Sequence, residues 1–120
     1  MGFARMGPMS MQPNVPVVSV SDLPDDAVMV DVRERNEWRA GHAPDAILIP
    51  MGDLPSQIEE LPLGDGPLAV VCRSGNRSGR VVAWLSQQGI DAVNVAGGMQ
   101  AWDAAGKPMV AEGSGSAQVI

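Results

Sequence analysis

A chain of 120 residues, nearly half of them apolar and with a formal charge of −6, is the size of one globular domain with room for a buried core. The acidic balance argues against a nucleic-acid or anionic-membrane partner, since either needs a broad basic face. The single cysteine excludes an intramolecular disulfide and fits a reducing compartment. With no apolar run of signal-peptide or membrane-spanning length, the expected location is the cytoplasm.

Residues 1–14 mix Met1, Met6, Met9 and Met11 with Gly, Pro and Gln without periodicity, the composition of a disordered lead. Val15–Val20 and Ala27–Val32 are rich in β-branched residues and bounded by Pro and Asp, and they read as strands. Glu34–Ala40 reads as a short helix stopped by Gly41, and Ala46–Ile49 as a strand ended by Pro50. Asp53 is the expected cap of a helix over Asp53–Leu61 that stops at Pro62. Leu68–Val71 is an unbroken apolar run, as the central strand of a parallel sheet should be. The polar stretch Cys72–Ser78 comes next. A helix starts at about Arg77, with its apolar periodicity (Val81, Val82, Trp84, Leu85) running over Gly79–Gln88 to Gly89. Ala92–Val95 is a last strand, Gly97-Gly98 a tight turn, and Met99–Ala105 a final helix closed by Gly106. The residues from 110 to 120 have the Gly/Ser composition of a flexible tail, so the folded body spans residues 15–109.

Strands alternating with helices predict an α/β fold, a parallel sheet covered on both faces. Such sheets bind ligands beyond the carboxyl ends of their strands, and Cys72 falls at such an end. Gly75 and Asn76 can adopt positive φ and curl the loop's amide N–H groups towards one point. The helix start adds the positive end of a dipole. From Cys72 to Arg80 there are three arginines and no acid. A thiol in that field should ionise more readily than a free one, and the thiolate is the nucleophile. A lone cysteine is most often a small buried apolar residue, but Cys72 ends its apolar run and polar residues follow at once.

The stretches Asp31-Val32-Arg33-Glu34, Glu37-Trp38, Gly41-His42-Ala43-Pro44-Asp45-Ala46 and Cys72-Arg73-Ser74-Gly75-Asn76-Arg77-Ser78 together resemble the single-domain rhodanese family. So does Gly97-Gly98 followed by Trp102, Gly106 and Pro108. The motifs keep the family's order and spacing from about Val17 to Met109. The resemblance implies a rhodanese-like, five-stranded parallel sheet with helices on both faces and a sulfurtransferase activity. Cys72 would take a sulfane sulfur from thiosulfate or a persulfide donor, hold it as a persulfide, and pass it to cyanide or a thiol. The amides of Arg73, Ser74, Gly75, Asn76, Arg77 and Ser78 would cradle that sulfur, and Arg73 and Arg77 would draw in the dianion. Donor and acceptor are small molecules or a protein partner; no cofactor and no metal is expected. Where the family commonly has Gly, this chain has Asp45.

Related phosphatases and arsenate reductases place their arginine one residue further from the cysteine. Here only four residues separate Cys72 from Arg77, and no second cysteine is present to resolve an oxidised intermediate. Those chemistries are therefore the minor alternative. The other alternative is a sulfur relay or a binding module that uses the fold without turnover. Asp31 and Arg33 are candidate supports of the site, by orienting a loop group, by capping, or by pairing with each other. His42 is expected to be a hydrogen-bonding turn residue. Glu34 and Glu37 read as the polar face of a short helix. Trp38, Trp84 and Trp102 read as packing residues.

Overall fold

Four consecutive buried residues, Leu68–Val71 (β4), hold the centre of a five-stranded sheet in which every pairing is parallel. The computed structural model describes residues 15–113 and 115–120; the lead expected over residues 1–14 lies outside them. The other strands are Val17–Val18 (β1), Met29–Asp31 (β2), Ile47–Leu48 (β3) and Ala92–Val95 (β5), and the order across the sheet is β1-β5-β4-β2-β3. Three α-helices accompany them: Arg35–Ala40 (α1), Asn76–Gln87 (α2) and Gly98–Ala104 (α3). Among the described residues no helix is long and apolar enough to cross a membrane.

Successive strand side chains point to opposite faces, so β4 feeds two cores. Leu68, Val70 and Cys72 join Val30, Val82 and Leu85 on the face covered by α2. Ala69 and Val71 join Met29, Val95, Met99 and Trp102 on the face covered by α3. An apolar residue at every β4 position is what burial on both faces requires. The fold is thus the α/β sheet, covered on both faces, that the chain pattern predicts.

Three elements differ from expectation, each for a local reason. Val20 leaves the first strand and opens a 3-10 turn over Val20–Asp22, because the Ser19 hydroxyl accepts the Ser21 N–H at 3.2 Å. The helix expected over Asp53–Leu61 is a 3-10 segment, Met51–Glu60, with Pro50 and not Asp53 at its cap and non-helical backbone at Gln57. Pro55, inside it, has no N–H to donate and crowds the turn before it. Helix α2 begins at Asn76, ahead of its apolar periodicity, because Gly75 takes a left-handed conformation (φ 111°) at its cap.

The segment after Pro108, whose composition reads as a flexible tail, is laid against α1. Val110 and His42 exchange backbone hydrogen bonds at 2.9 Å in each direction. The N–H groups of Glu112 and Gln118 donate to the carbonyls of Arg39 and Ala40, two of the acceptors that the end of α1 leaves open. The indole of Trp38 donates to the Glu112 carboxylate at 3.0 Å, and Val119 packs on the second core. Gly41 makes this approach possible, since a Cβ there would lie 2.5 Å from the Gln118 carbonyl oxygen.

Arg33 and Asp31 are both fully buried and pair side by side, with Nε to Oδ1 at 2.9 Å and Nη2 to Oδ2 at 2.8 Å. Arg33 Nη2 also donates to the Gly41 carbonyl at 2.8 Å, which ties the end of β2 to the end of α1. Breaking a buried pair strands a charge, whereas removing both partners does not. Asp31→Asn should therefore cost roughly 3 kcal/mol in urea unfolding, and Asp31→Leu with Arg33→Met much less than the two single changes summed. Additive costs would contradict the pairing.

Candidate active site

Cys72 leaves β4 in phase with Leu68 and Val70, so its side chain turns towards α2. The loop that begins here is shaped by its carbonyl groups as much as by its amides. The Met99 N–H donates to the Cys72 carbonyl at 2.8 Å, and the Gln100 N–H donates to the Arg73 carbonyl at 3.0 Å. The first turn of α3 thus holds the back of the loop with two N–H groups that a helix start leaves free. This contact needs Gly98: its φ is 60°, and a Cβ would lie 2.4 Å from the Cys72 carbonyl oxygen. Gly97 precedes it, also left-handed at φ 74°.

With those carbonyls held behind, the loop's donors face the sulfur. The Gly75 N–H lies 3.1 Å from Cys72 Sγ and the Ser78 hydroxyl 3.2 Å from it. Burial, the largest single influence, pushes the Cys72 thiol up. The Ser78 hydroxyl, then the amides of Ser78, Gly75 and Ser74, together outweigh it and bring the thiol below its ordinary value. No arginine is among the leading causes, so hydrogen bonds carry the effect that the arginine-rich sequence suggested. Cys72 is 1 % exposed, while Arg73, Ser74 and Asn76 are exposed around it.

The two arginines expected to attract an anion already have partners. Arg77 is bound on two sides by Glu37, Nη1 to Oε1 at 2.8 Å and Nη2 to Oε2 at 2.9 Å. The Arg77 guanidinium holds the Glu37 carboxyl below the usual carboxylate range, and Glu37 raises Arg77 in return. Glu37 also accepts the Glu34 N–H at 2.9 Å, so one carboxylate joins the start of α1 to the sulfur loop. Arg73 donates its Nε–H to the Ile120 carbonyl at 2.9 Å. Among the described residues, the loop therefore touches α1 through Arg77 and the end of the chain through Arg73.

Residues 18–105 match the rhodanese-like domain family. The chain belongs to that family. It is 41% identical over 88 residues to a sulfurtransferase of Allochromatium vinosum, covering 72% of this chain and 81% of the relative. It is 39% identical over 77 residues to the thiosulfate sulfurtransferase GlpE of Pseudomonas syringae, covering 63% of this chain and 72% of that protein. Among solved structures, a rhodanese-related protein of Thermoplasma volcanium superposes with a TM-score of 0.72 at 38% identity. That match covers 81% of this chain and 99% of the other. The five-stranded parallel sheet and the helices on its two faces are thus those of a rhodanese.

Other residues of the rhodanese pattern bond one another and the backbone around α1. Asp31 and Arg33 bond each other, and Arg33 also donates to the Gly41 carbonyl. His42 bonds the Trp38 carbonyl through Nδ1 at 2.8 Å, and its ring stacks on the Trp38 indole with centroids 3.5 Å apart. No described non-glycine residue has positive φ, so Asp45 fits its turn without backbone strain. An apolar cleft of about 190 Å³ between the 3-10 segment and α2 is lined by Met51, Leu54, Pro55, Arg80, Val81 and Trp84, and by none of the loop residues from Cys72 to Ser78.

Two residues that touch the loop are not among the site residues expected from the sequence. Glu37 reads as a helix-surface acid, and its partner is 40 positions away. Asn94 sits on β5 in phase with Ala92, on the same sheet face as Cys72. It accepts from the Ser78 hydroxyl at 2.6 Å and donates to the Gly75 carbonyl at 3.0 Å. A buried asparagine in the strand Ala-Val-Asn-Val is its one visible signal, since a polar residue in a covered strand needs partners.

Two measurements test this geometry. Ser78→Ala should move the pH midpoint of Cys72 alkylation upward, because the thiolate loses a donor; an unchanged midpoint would contradict the assignment. Glu37→Gln should lower stability at neutral pH by no more than about 1 kcal/mol, since the pair is partly exposed. The sign with pH follows from the lowered carboxyl of Glu37. The difference from wild type should be full above the ordinary carboxylate range and vanish as pH falls through the folded value.

Proposed function

We propose that this rhodanese is a sulfurtransferase whose working group is the Cys72 thiolate. The observation that carries the reading is the set of donors from Ser74, Gly75 and Ser78 converging on one sulfur. The backbone donors among these are fixed in place before the reaction and stabilise charge without reorganisation. In the first step the thiolate attacks the outer sulfur of thiosulfate. A new S–S bond forms to Sγ, the S–S bond of thiosulfate breaks, and its electron pair leaves with sulfite. The negative charge then sits on the outer sulfur of a Cys72 persulfide, within the amides of residues 73–78. In the second step cyanide or a thiolate attacks that outer sulfur, and the electron pair of the broken bond returns to Sγ. This is double displacement.

Arg73, exposed at the loop, is the side chain offered to an incoming dianion, while Arg77 positions the loop through Glu37. The name of the Pseudomonas syringae relative supports thiosulfate as donor. A second reading, a relay fed by a persulfide donor, is favoured by the partners that both arginines already have. A less charged donor draws less on them. The four-residue spacing from Cys72 to Arg77 favours a single sulfur over a phosphoryl group in either case.

Intact mass after incubation with thiosulfate, beside a Cys72→Ser control, separates these outcomes. A gain of one sulfur atom, lost in the control and accompanied by released sulfite, is the expected result. No adduct from either thiosulfate or a low-molecular-weight persulfide would overturn the reading, and an adduct from the persulfide alone would select the relay.

A further inference from the structure

The Ser78 hydroxyl has one hydrogen and two acceptors. Its oxygen lies 3.2 Å from Cys72 Sγ and 2.6 Å from Asn94 Oδ1. The amide of Asn94 is oriented by its other end, since Nδ2 donates to the Gly75 carbonyl at 3.0 Å and leaves Oδ1 to face Ser78. All three groups are buried: Ser78 is 0 % and Asn94 5 % exposed. No group in this row is free to turn to solvent for a substitute partner.

The charge on sulfur therefore decides where the hydrogen goes. With Cys72 a thiol, S–H donates to the Ser78 oxygen and the Ser78 O–H to Asn94, and each group is satisfied. With Cys72 a thiolate, sulfur can only accept, and the Ser78 O–H must turn to it. Asn94 Oδ1 is then left buried without its donor, which is costly. Once a second sulfur is attached, the charge moves to the outer atom. Sγ becomes a weak acceptor, and the hydrogen swings back to Asn94. Ionisation of the thiol releases its proton to solvent; in the loading step no proton changes owner, and one O–H bond rotates.

We propose that Asn94 is a positioning residue that acts through the Ser78 hydroxyl, reclaiming its hydrogen whenever Sγ is uncharged and so favouring sulfur-loaded Cys72 over the empty thiolate. The loading half of this role rests on the proposed persulfide chemistry; the hold on the thiolate does not. A residue that served only to hold the Gly75 carbonyl would act equally whether or not Ser78 had a hydroxyl.

A double-mutant cycle of Asn94→Leu and Ser78→Ala tests this, read by the rate of Cys72 alkylation across pH. In the presence of the serine, Asn94→Leu should raise the alkylation rate below the midpoint by about three- to tenfold relative to its effect in the Ser78→Ala protein, the range for one ordinary neutral hydrogen bond. The midpoint should shift to lower pH in the first case only. Equal effects in the two backgrounds, or a coupling of opposite sign, would overturn the proposal. If Asn94→Leu does not fold, Asn94→Ala is read in the same two backgrounds. A second arm sets the thiosulfate-to-sulfite ratio and measures loaded Cys72 by intact mass. Asn94→Leu should lower the loaded fraction, again only with Ser78 present. A wild-type protein that gains no sulfur would defeat the persulfide reading and with it the loading half, while the alkylation arm still decides how Asn94 acts on the thiolate.

Discussion

Two backbone hydrogen bonds, from the N–H groups of Met99 and Gln100 to the carbonyls of Cys72 and Arg73, are the constraint on which the site depends. A peptide unit cannot aim its N–H and its C=O in the same direction. Fixing the Arg73 carbonyl against the start of α3 is what leaves the Ser74 amide, on the same peptide unit, facing the sulfur. The contact is close enough that only glycine fits at position 98, and the left-handed backbone there favours glycine on its own account. The Gly97-Gly98 pair, more than twenty residues from the cysteine in sequence, is therefore part of the sulfur loop in physical terms.

Around that clamp the molecule adds supports of different kinds. Asn94 and Ser78 hold the loop from the sheet side through buried hydrogen bonds. Glu37 holds Arg77 from α1 through an ion pair that water partly reaches. The buried Asp31–Arg33 pair fixes the end of β2, beside the end of β4, against the last turn of α1. Glu112 and Gln118 bond the residues of that same turn, Val110 bonds His42 just beyond it, and Ile120 reaches Arg73. At the cysteine, burial opposes the charge on sulfur, and the donors around it more than offset burial.

Much of this was legible in the sequence. Leu68–Val71 was visible as the central strand because burial on both faces leaves no polar position, and Cys72 was visible because it breaks that run. The start of α2 was hidden: Asn76, Arg77 and Ser78 are polar, so apolar periodicity begins only at Val81. The 3-10 segment took the look of an α-helix because its spacing of apolar residues is close to helical, while Pro55 decides its hydrogen bonding. The tail after Pro108 shows only composition, and what seats it is the absence of a side chain at Gly41. Glu37 reads in the sequence only as the polar face of a helix, and Asn94 carries no site signal there, because their contacts depend on partners that only the fold brings near. The arginines drew attention by their charge, yet the short-range donors of the backbone and Ser78 prove the stronger influence on sulfur.

On the proposed chemistry, the loop amides form a cradle for one sulfur atom attached to Cys72. A crystal structure of the protein after treatment with thiosulfate tests it most directly. One additional sulfur bonded to Sγ, within hydrogen-bonding distance of several amide nitrogens of residues 73–78 and with the bonds from Met99 and Gln100 intact, is the expected result. A second sulfur directed away from those amides, or a loop that releases the α3 contacts to accommodate it, would contradict the account.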